Sequence, residues 1–378
     1  MSQSDPEEMT DTNGDIEMEE EKTEPENAEP GEATEPKITR FDDNGDLRLI
    51  VSNKMRPRSS NIFLVSSKAM SMACDPWNSM LNGQFKESQP SSSGEREVEL
   101  PDDHPNALAI PLHIAHLRFD LIPEQPTFST LLNIAVLSDK YDATHILRPW
   151  ATSWVNALSH TVEEPGYEEW LWVAWEFGQA KIFEDIATRL VRTINIGPDG
   201  KCQTPEGKIL DPASSRQYLP PEIIESIMAI REKTVVDLLD IFYSKLESFV
   251  KNHSSGMTVC FGPKNENKVR QVECDAMVFG SLSLSLLEVG LSSQRMDPVA
   301  VTMSVDQLLE KLREVQAYET VIHETGGCKN LTTNESLLEY LEDVENSIPS
   351  PVLDLHHRHL QRQAKKLGLD KGVVSSCT

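Results

Sequence analysis

At Gly45 the chain changes character. From Leu47 to Ser52, apolar Leu47, Leu49 and Val51 alternate with Arg48, Ile50 and Ser52. A period of two is the signature of a strand with one buried face. A polar loop, "MRPRSSN", separates it from a second strand over Ile62 to Val65, and the pair reads as a hairpin. Glu97 to Leu100, closed by the turn "PDD", reads as a third short strand. Three short strands make one small sheet, and the apolar face of such a sheet has to be covered by helices.

The sequence supplies those helices. "SSKAMSMACDPWNSMLNG" moves to helical spacing; Asp75 suits an N-cap, Pro76 a first helical position and Gly83 an end. Pro105 to Leu117 carries Leu108, Leu112 and Ala115 on one face, with Pro111 expected to kink it. Phe128 to Tyr141 is apolar nearly all round, as a buried helix is. Ile146 to Leu158 places Trp150 and Trp154 one turn apart. Residues 41–162 are therefore expected to form one α+β unit.

Beyond it, the pattern is helical. "YEEWLWVAWEFG" stops at Gly178, and "KIFEDIATRLVRTI" completes a helical hairpin. Turn signals at Asp199-Gly200 and Glu206-Gly207 mark a small β-hairpin insert. A long amphipathic stretch, or two, follows through Ile224, Val235, Leu239 and Leu246, making 163–252 a helical domain. In the helical region 253–348, Ala276 to Leu291 reads as a buried helix. Ser304 and Gln307 form a capping box, and a last helix covers Glu335 to Ser347. Residues 349–378 are basic and His-rich, and read as a flexible tail with His356, His357 and His359 in solvent.

Charge decides which partners are excluded. The 378 residues carry a net charge of −26. Such a surface repels nucleic acid and anionic membranes. Residues 1–40 hold 14 acidic against 3 basic side chains and almost nothing apolar. Ordering them would cost roughly 1–2 kcal/mol of backbone entropy per residue with no burial to offset it, so a disordered acidic tail is expected. No apolar signal segment and no membrane span is visible. Six scattered cysteines then fit a reducing compartment, cytoplasmic or nuclear, with thiols unoxidised or metal-bound.

The quoted segments add up to a family pattern. "GDLRLIV", "FLVSSKAMSMACDPWNSMLNGQFKES", "VELPDDHPNALAIPLHIAHLRFD" and "LLNIAVLSDKYDATHILRPWATSW" together resemble the BTB/POZ domain, and more narrowly the BTB-containing proteins of filamentous fungi. The likeness runs from Phe41 to about His160, and the helical remainder is also similar to those proteins. It implies protein–protein interaction rather than catalysis: homodimerisation, peptide binding, or service as an adaptor for cullin-type ubiquitin ligases. Such adaptors carry a hydrophobic-x-Glu motif in the loop after the second helix, where this chain has Phe85, Lys86 and Glu87. The apolar residue fills a pocket on the cullin, and the Glu shapes the loop. The alternative is a self-associating scaffold or transcription-linked regulator with no ligase role. The chain departs from the pattern in two places. An acidic tail stands where dimeric members carry an exchanged helix and strand, and Pro111 interrupts a helix that is continuous elsewhere.

Catalytic patterns are missing from the sequence: "GPDGKC" lacks the spacing of a phosphate loop, and neither G-x-S-x-G nor H-E-x-x-H occurs. A small-molecule substrate is not expected. One chemical constellation remains, Cys260, Cys274, His323 and Cys328. Three thiols and an imidazole fit a tetrahedral structural zinc site, while isolated thiols are also among the most buried of side chains; both readings stay open.

Overall fold

The computed structural model describes residues 38–52, 60–85, 88, 96–214, 217–260, 268–318 and 334–369. The acidic segment up to residue 37, Lys86, Glu87, His323, Cys328 and the last residues from 370 lie outside them. The described chain is of the α+β class, with one small sheet and a majority of helix.

The sheet has four strands in the order β1-β3-β2-β4: β1 (Ile38–Arg40), β2 (Leu47–Ser52), β3 (Ser60–Val65) and β4 (Glu97–Leu100). The antiparallel pair β2 and β3 sets Leu47 opposite Val65 and Leu49 opposite Phe63. Strand β4 runs parallel to β2, with Leu49 beside Val98 and Val51 beside Leu100. All seven of these side chains are buried, so the period-two alternation delivers one continuous apolar face. Strand β1 corrects the boundary of the expected tail. Ile38 to Arg40 pair in parallel with Ile62 to Leu64, using backbone groups that the edge of β3 would otherwise leave open. Backbone pairing does not require apolar side chains, so a pattern of burial could not reveal it.

Helices α1 (Ser67–Ala73), α2 (Asp75–Asn82), α3 (Pro105–Ala115), α4 (Phe128–Lys140) and α5 (Ala151–Leu158) share one apolar cluster with this sheet. α3 is assigned as one helix through Pro111, whose ring is buried. α5 begins later than its spacing predicts. Pro149 has no N–H to continue a helical ladder, so Thr144–Leu147 forms a separate 3-10 turn. The buried Asp103 carboxylate ties the turn before α3 to the end of α4, accepting from Lys140 Nζ at 2.5 Å and Tyr141 Oη at 2.5 Å.

Helices α6 (Trp170–Glu176) and α7 (Ala180–Thr193) form the expected hairpin. Strands β5 (Asn195–Ile196) and β6 (Cys202–Gln203) form the small insert. Then α8 (Ile223–Ser254) runs unbroken for 32 residues. One apolar cluster takes in Phe41 to Ile227, and a second takes in Val235 to Leu341. The change between them falls within α8, where buried Arg231 donates to the carbonyls of Val301 (2.9 Å) and Met303 (2.6 Å). The second cluster includes α9 (Lys268–Glu288), α10 (Val305–Arg313) and α11 (Asn334–Asn346). α10 carries the expected capping box: Ser304 Oγ accepts from Gln307 N, and Ser304 N donates to Gln307 Oε1. α9 is not the fully buried helix that its composition suggests, because Met277, Leu284 and Leu287 are exposed. No helix among the described residues is long and apolar enough to cross a membrane.

The expected flexible tail is, over Asp354–Leu367, a packed helix, α12. Leu360 and Leu367 join the first apolar cluster. His356 is fully buried; its Nε2–H donates to Pro221 O at 2.7 Å and its Nδ1 accepts from Leu353 N, which fixes a neutral ring. The His359 ring stacks on Trp175 with centroids 3.5 Å apart, and burial lowers its pKa to about 4. Local polarity pointed to solvent, and long-range packing overrides it.

Two features seat α12. Gly178 has φ +62°, and a Cβ there would lie 2.2 Å from Ala364 N. The second is Glu176. Its Oε1 accepts from Ser138 Oγ (2.7 Å) and Thr144 Oγ1 (2.6 Å), and its Oε2 accepts from Gln363 Nε2 (2.6 Å). One buried carboxylate thus joins α4, the 3-10 turn, α6 and α12.

Burial pushes the Glu176 carboxyl up to about 7, against the hydrogen bonds from Thr144 and Ser138 that favour its anion. A folded-state pKa above the unfolded one favours the fold while the group is protonated. Its contribution is present below about 4.5 and is lost as pH rises through 7. His359 works in the opposite sense, since its lowered pKa costs stability as pH falls through 6.5 toward 4. Comparing wild type with Glu176→Gln isolates the carboxylate. Urea unfolding should show the stability difference shifting in favour of the Gln variant between pH 5 and pH 8, by on the order of 3 kcal/mol. Gly178→Ala should cost at least about 2 kcal/mol at any pH, because neither the positive φ nor the Ala364 backbone can accommodate a methyl group.

Candidate protein-docking face

The α1–α2 hairpin is fixed at both ends. Asp46 accepts from Ser67 N (2.7 Å) and Ser67 Oγ (2.6 Å), while Ser66 Oγ caps Ala69 N. Burial raises the Asp46 pKa, but the bonds from Ser67 outweigh it and hold the carboxyl below its usual range. In α2, Trp77 and Leu81 are one turn apart and both buried, and the Trp77 ring packs against Tyr141, which anchors the helix in the core. The Arg96 guanidinium donates to Leu81 O at the far end.

Gly83 closes α2. Its N–H donates to Ser79 O at 2.8 Å, and a Cβ at this position would lie 2.3 Å from that same oxygen. The turn then brings out Phe85. Ser88 N (3.1 Å) and Ser88 Oγ (2.7 Å) both donate to Phe85 O, so the backbone is held while the ring, 57% exposed, belongs to neither large apolar cluster. Lys86 and Glu87, the other two residues of the expected motif, lie outside the described residues.

The same unit exposes further apolar side chains that sequence reading had not singled out. Met72 on α1 is 73% exposed, and Leu117 after α3 is 74% exposed at φ +59°. Both line one open hollow with Ala69, Asp42, Asp43 and Arg118. His116 forms part of its wall; its Nδ1–H donates to Leu112 O and its Nε2 accepts from Ser66 N. A short helix of mixed composition does not declare which residues face outward, so Met72 carried no signal. Leu117 follows the last turn of α3, and its left-handed backbone turns it out of the helical register that placed Leu108 and Leu112 inside.

The thiols of Cys74 and Cys202 are buried, and burial pushes their pKa values up to about 11 and about 12, so both stay protonated near neutral pH. Of the four candidate zinc ligands, Cys260 and Cys274 come together in a small buried cluster of their own, while His323 and Cys328 lie outside the described residues. The Asp275 carboxylate holds that loop by accepting from Val259 N and Cys260 N, each at 2.8 Å. Among the described residues, no group of three or more His, Cys, Asp or Glu side chains is placed to hold a metal. Elemental analysis of the purified chain separates the two readings: a closed four-ligand site carries about one zinc per chain, and buried thiols carry none.

The comparisons assign no family to this chain: no protein-family model matches it, and no curated protein matches it.

Proposed function

We propose that this protein is an interaction module of the BTB/POZ type that docks other polypeptides through its N-terminal α+β unit, and that it serves as a substrate adaptor for a cullin-type ubiquitin ligase. The observation that carries the reading is the position of Phe85. A large aromatic ring stands exposed on a turn whose backbone is held by Ser88 and whose supporting helix is anchored by Trp77 and Leu81. A chain that needed Phe85 for its own core would have buried it, as it buried Trp77. An exposed ring on a fixed backbone loses little further freedom when it enters a pocket, which favours association.

The ring can supply the energy required. Burying a Phe contributes about 1.5–3 kcal/mol, and anchors of this kind typically cost 2 kcal/mol or more when truncated. Lys86 and Glu87 follow it in sequence and are suited to the polar rim of such a contact. The net charge of −26 directs the proposal toward protein partners and away from nucleic acid. On this reading the helical remainder, including α8 to α11, holds the second partner.

Phe85→Ala should abolish co-purification of the cullin while changing folding stability by less than about 1 kcal/mol. Trp77→Ala, as the contrasting core substitution, should cost about 3–5 kcal/mol. Affinity purification with mass spectrometry, together with a thermal melt of each variant, reads both effects. If the wild-type protein captures no cullin, the ligase role is wrong. If Phe85→Ala destabilises as much as Trp77→Ala, the ring is a core residue and the docking role is wrong.

A further inference from the structure

α12 is seated by two imidazole rings that must stay uncharged. His356 Nδ1 accepts from Leu353 N at 3.0 Å, while its Nε2–H donates to Pro221 O at 2.7 Å. One turn on, His359 Nδ1 lies 3.0 Å from the Arg362 guanidinium, a group that can only donate. Each ring therefore offers its Nδ1 lone pair to an N–H, and a proton on that nitrogen breaks the bond. At His359 it would also set a cation against a cation. The rings face aromatic neighbours: His359 stacks on Trp175, and His356 packs edge-on to Trp175 and beside Phe183.

The rest of the seat is slight. The buried side chains of α12 are His356, Leu360, Gln363 and Leu367, so half of them are polar. No described element follows α12, so the helix can leave its groove without dragging another with it.

We propose that α12 is an acid-released strap: protonation of His356 and His359 lifts it from α6 and α7 while the sheet stays folded. Release would uncover the rings of Trp175 and Phe183 and the backbone at Gly178. The proposal does not depend on the docking role of Phe85.

The groups around the seat set the direction. Burial lowers the His359 pKa to about 4, and Arg362 and Lys366 on its own helix add to the effect. Burial also lowers the His356 pKa, with His357 acting in the same sense, while the Pro221 carbonyl and Glu222 oppose it. Across the seat, Glu176 acts as a brake. Burial and Asp139 of α4 raise its pKa to about 7, against Thr144, Ser138 and Lys366, so docking gains from this carboxyl as pH falls. Glu176 moves from 4.5 to about 7 and His359 from 6.5 to about 4, so these two cancel over most of that range and His356 tips the balance toward release. The brake is also incomplete. Both rings pass into water with α12, whereas Glu176 stays on α6 beside Ser138 and Thr144 and recovers only part of its ordinary acidity.

Hydrogen exchange of the full chain, read by mass spectrometry and corrected for intrinsic rates, tests the proposal by comparing peptides of α12 and β2. Between pH 7 and pH 5.5 the opening of α12 should rise by roughly a few-fold in the wild type. In Glu176→Gln, which lacks the brake, it should rise by roughly fiftyfold. β2 should keep its protection throughout. His359→Phe keeps a ring on Trp175 but takes up no proton, and its α12 should open no more at pH 5.5 than at pH 7. Loss of protection in α12 and β2 together overturns the proposal, because the chain then unfolds as a whole. A Glu176→Gln variant without an acid response overturns it, as does a His359→Phe variant that responds as strongly as the wild type.

Discussion

A carboxylate sealed from water must be satisfied by the chain that buries it. Glu176 is such a group, and its three hydrogen-bond donors come from Ser138, Thr144 and Gln363, each far from it in sequence. Each bond joins α6 to one other element, and the full set forms only when α4, the 3-10 turn and α12 have all met it. Losing one would leave a buried acceptor unpaired, at a cost of about 1–3 kcal/mol or more for a charged group. The contact therefore acts as a check on assembly: it penalises any arrangement in which the C-terminal helix is displaced. Gly178, two residues on, applies the steric half of the same constraint by letting the backbone of α12 come to contact distance. Residues that look like a tail thereby complete the first core.

Which parts of this were legible depended on whether their cause was local. The alternation at Leu47, Leu49 and Val51 is a local pattern, and the strand follows it residue for residue. The Ser304–Gln307 capping box is local too, and both of its hydrogen bonds are formed. Strand β1 is not local: Ile38 to Arg40 are ordered by the edge of β3, more than twenty residues away. α12 is the extreme case: Leu353, Leu360 and Leu367 recur every seven residues, but the stripe is narrow and the basic, His-rich residues around it read as solvated. What buries His356 is a carbonyl at Pro221, and what buries His359 is the face of Trp175. Glu176 left one clue, a single acid in the otherwise apolar run "WLWVAWEF", but its partners cannot be found from that run alone.

Phe85, the residue proposed to dock, shows the same division. The sequence placed Phe85 in a turn after a helix end and left two fates open, core or surface. The geometry around Gly83 decides between them, since the turn it closes carries the ring outward and Ser88 then fastens the backbone behind it. Met72 and Leu117 extend the apolar character of the unit without any pattern to announce them. Scattered exposed apolar residues are ordinary on a protein surface. Met72 differs in standing on a short helix whose start is tied down by Asp46, Ser66 and His116.

Rigidity of this kind has a consequence for how the two halves of the molecule can work together. α8 is a single helix whose N-terminal part belongs to one apolar cluster and whose C-terminal part belongs to the other. At the junction, the guanidinium of Arg231 is buried and committed to two carbonyls of the loop leading to α10. Arg192 on α7 reinforces the junction by bridging Asp306 on α10 and Glu345 on α11. A hinge there would have to expose or strand the buried Arg231 charge, a penalty of several kcal/mol that no surface ion pair could offset. On the adaptor role proposed above, a partner on the N-terminal unit and a partner on the helical half would be held by one stiff body. For an adaptor, that stiffness is the useful property: it converts two separate binding events into a fixed relative placement of the two bound proteins.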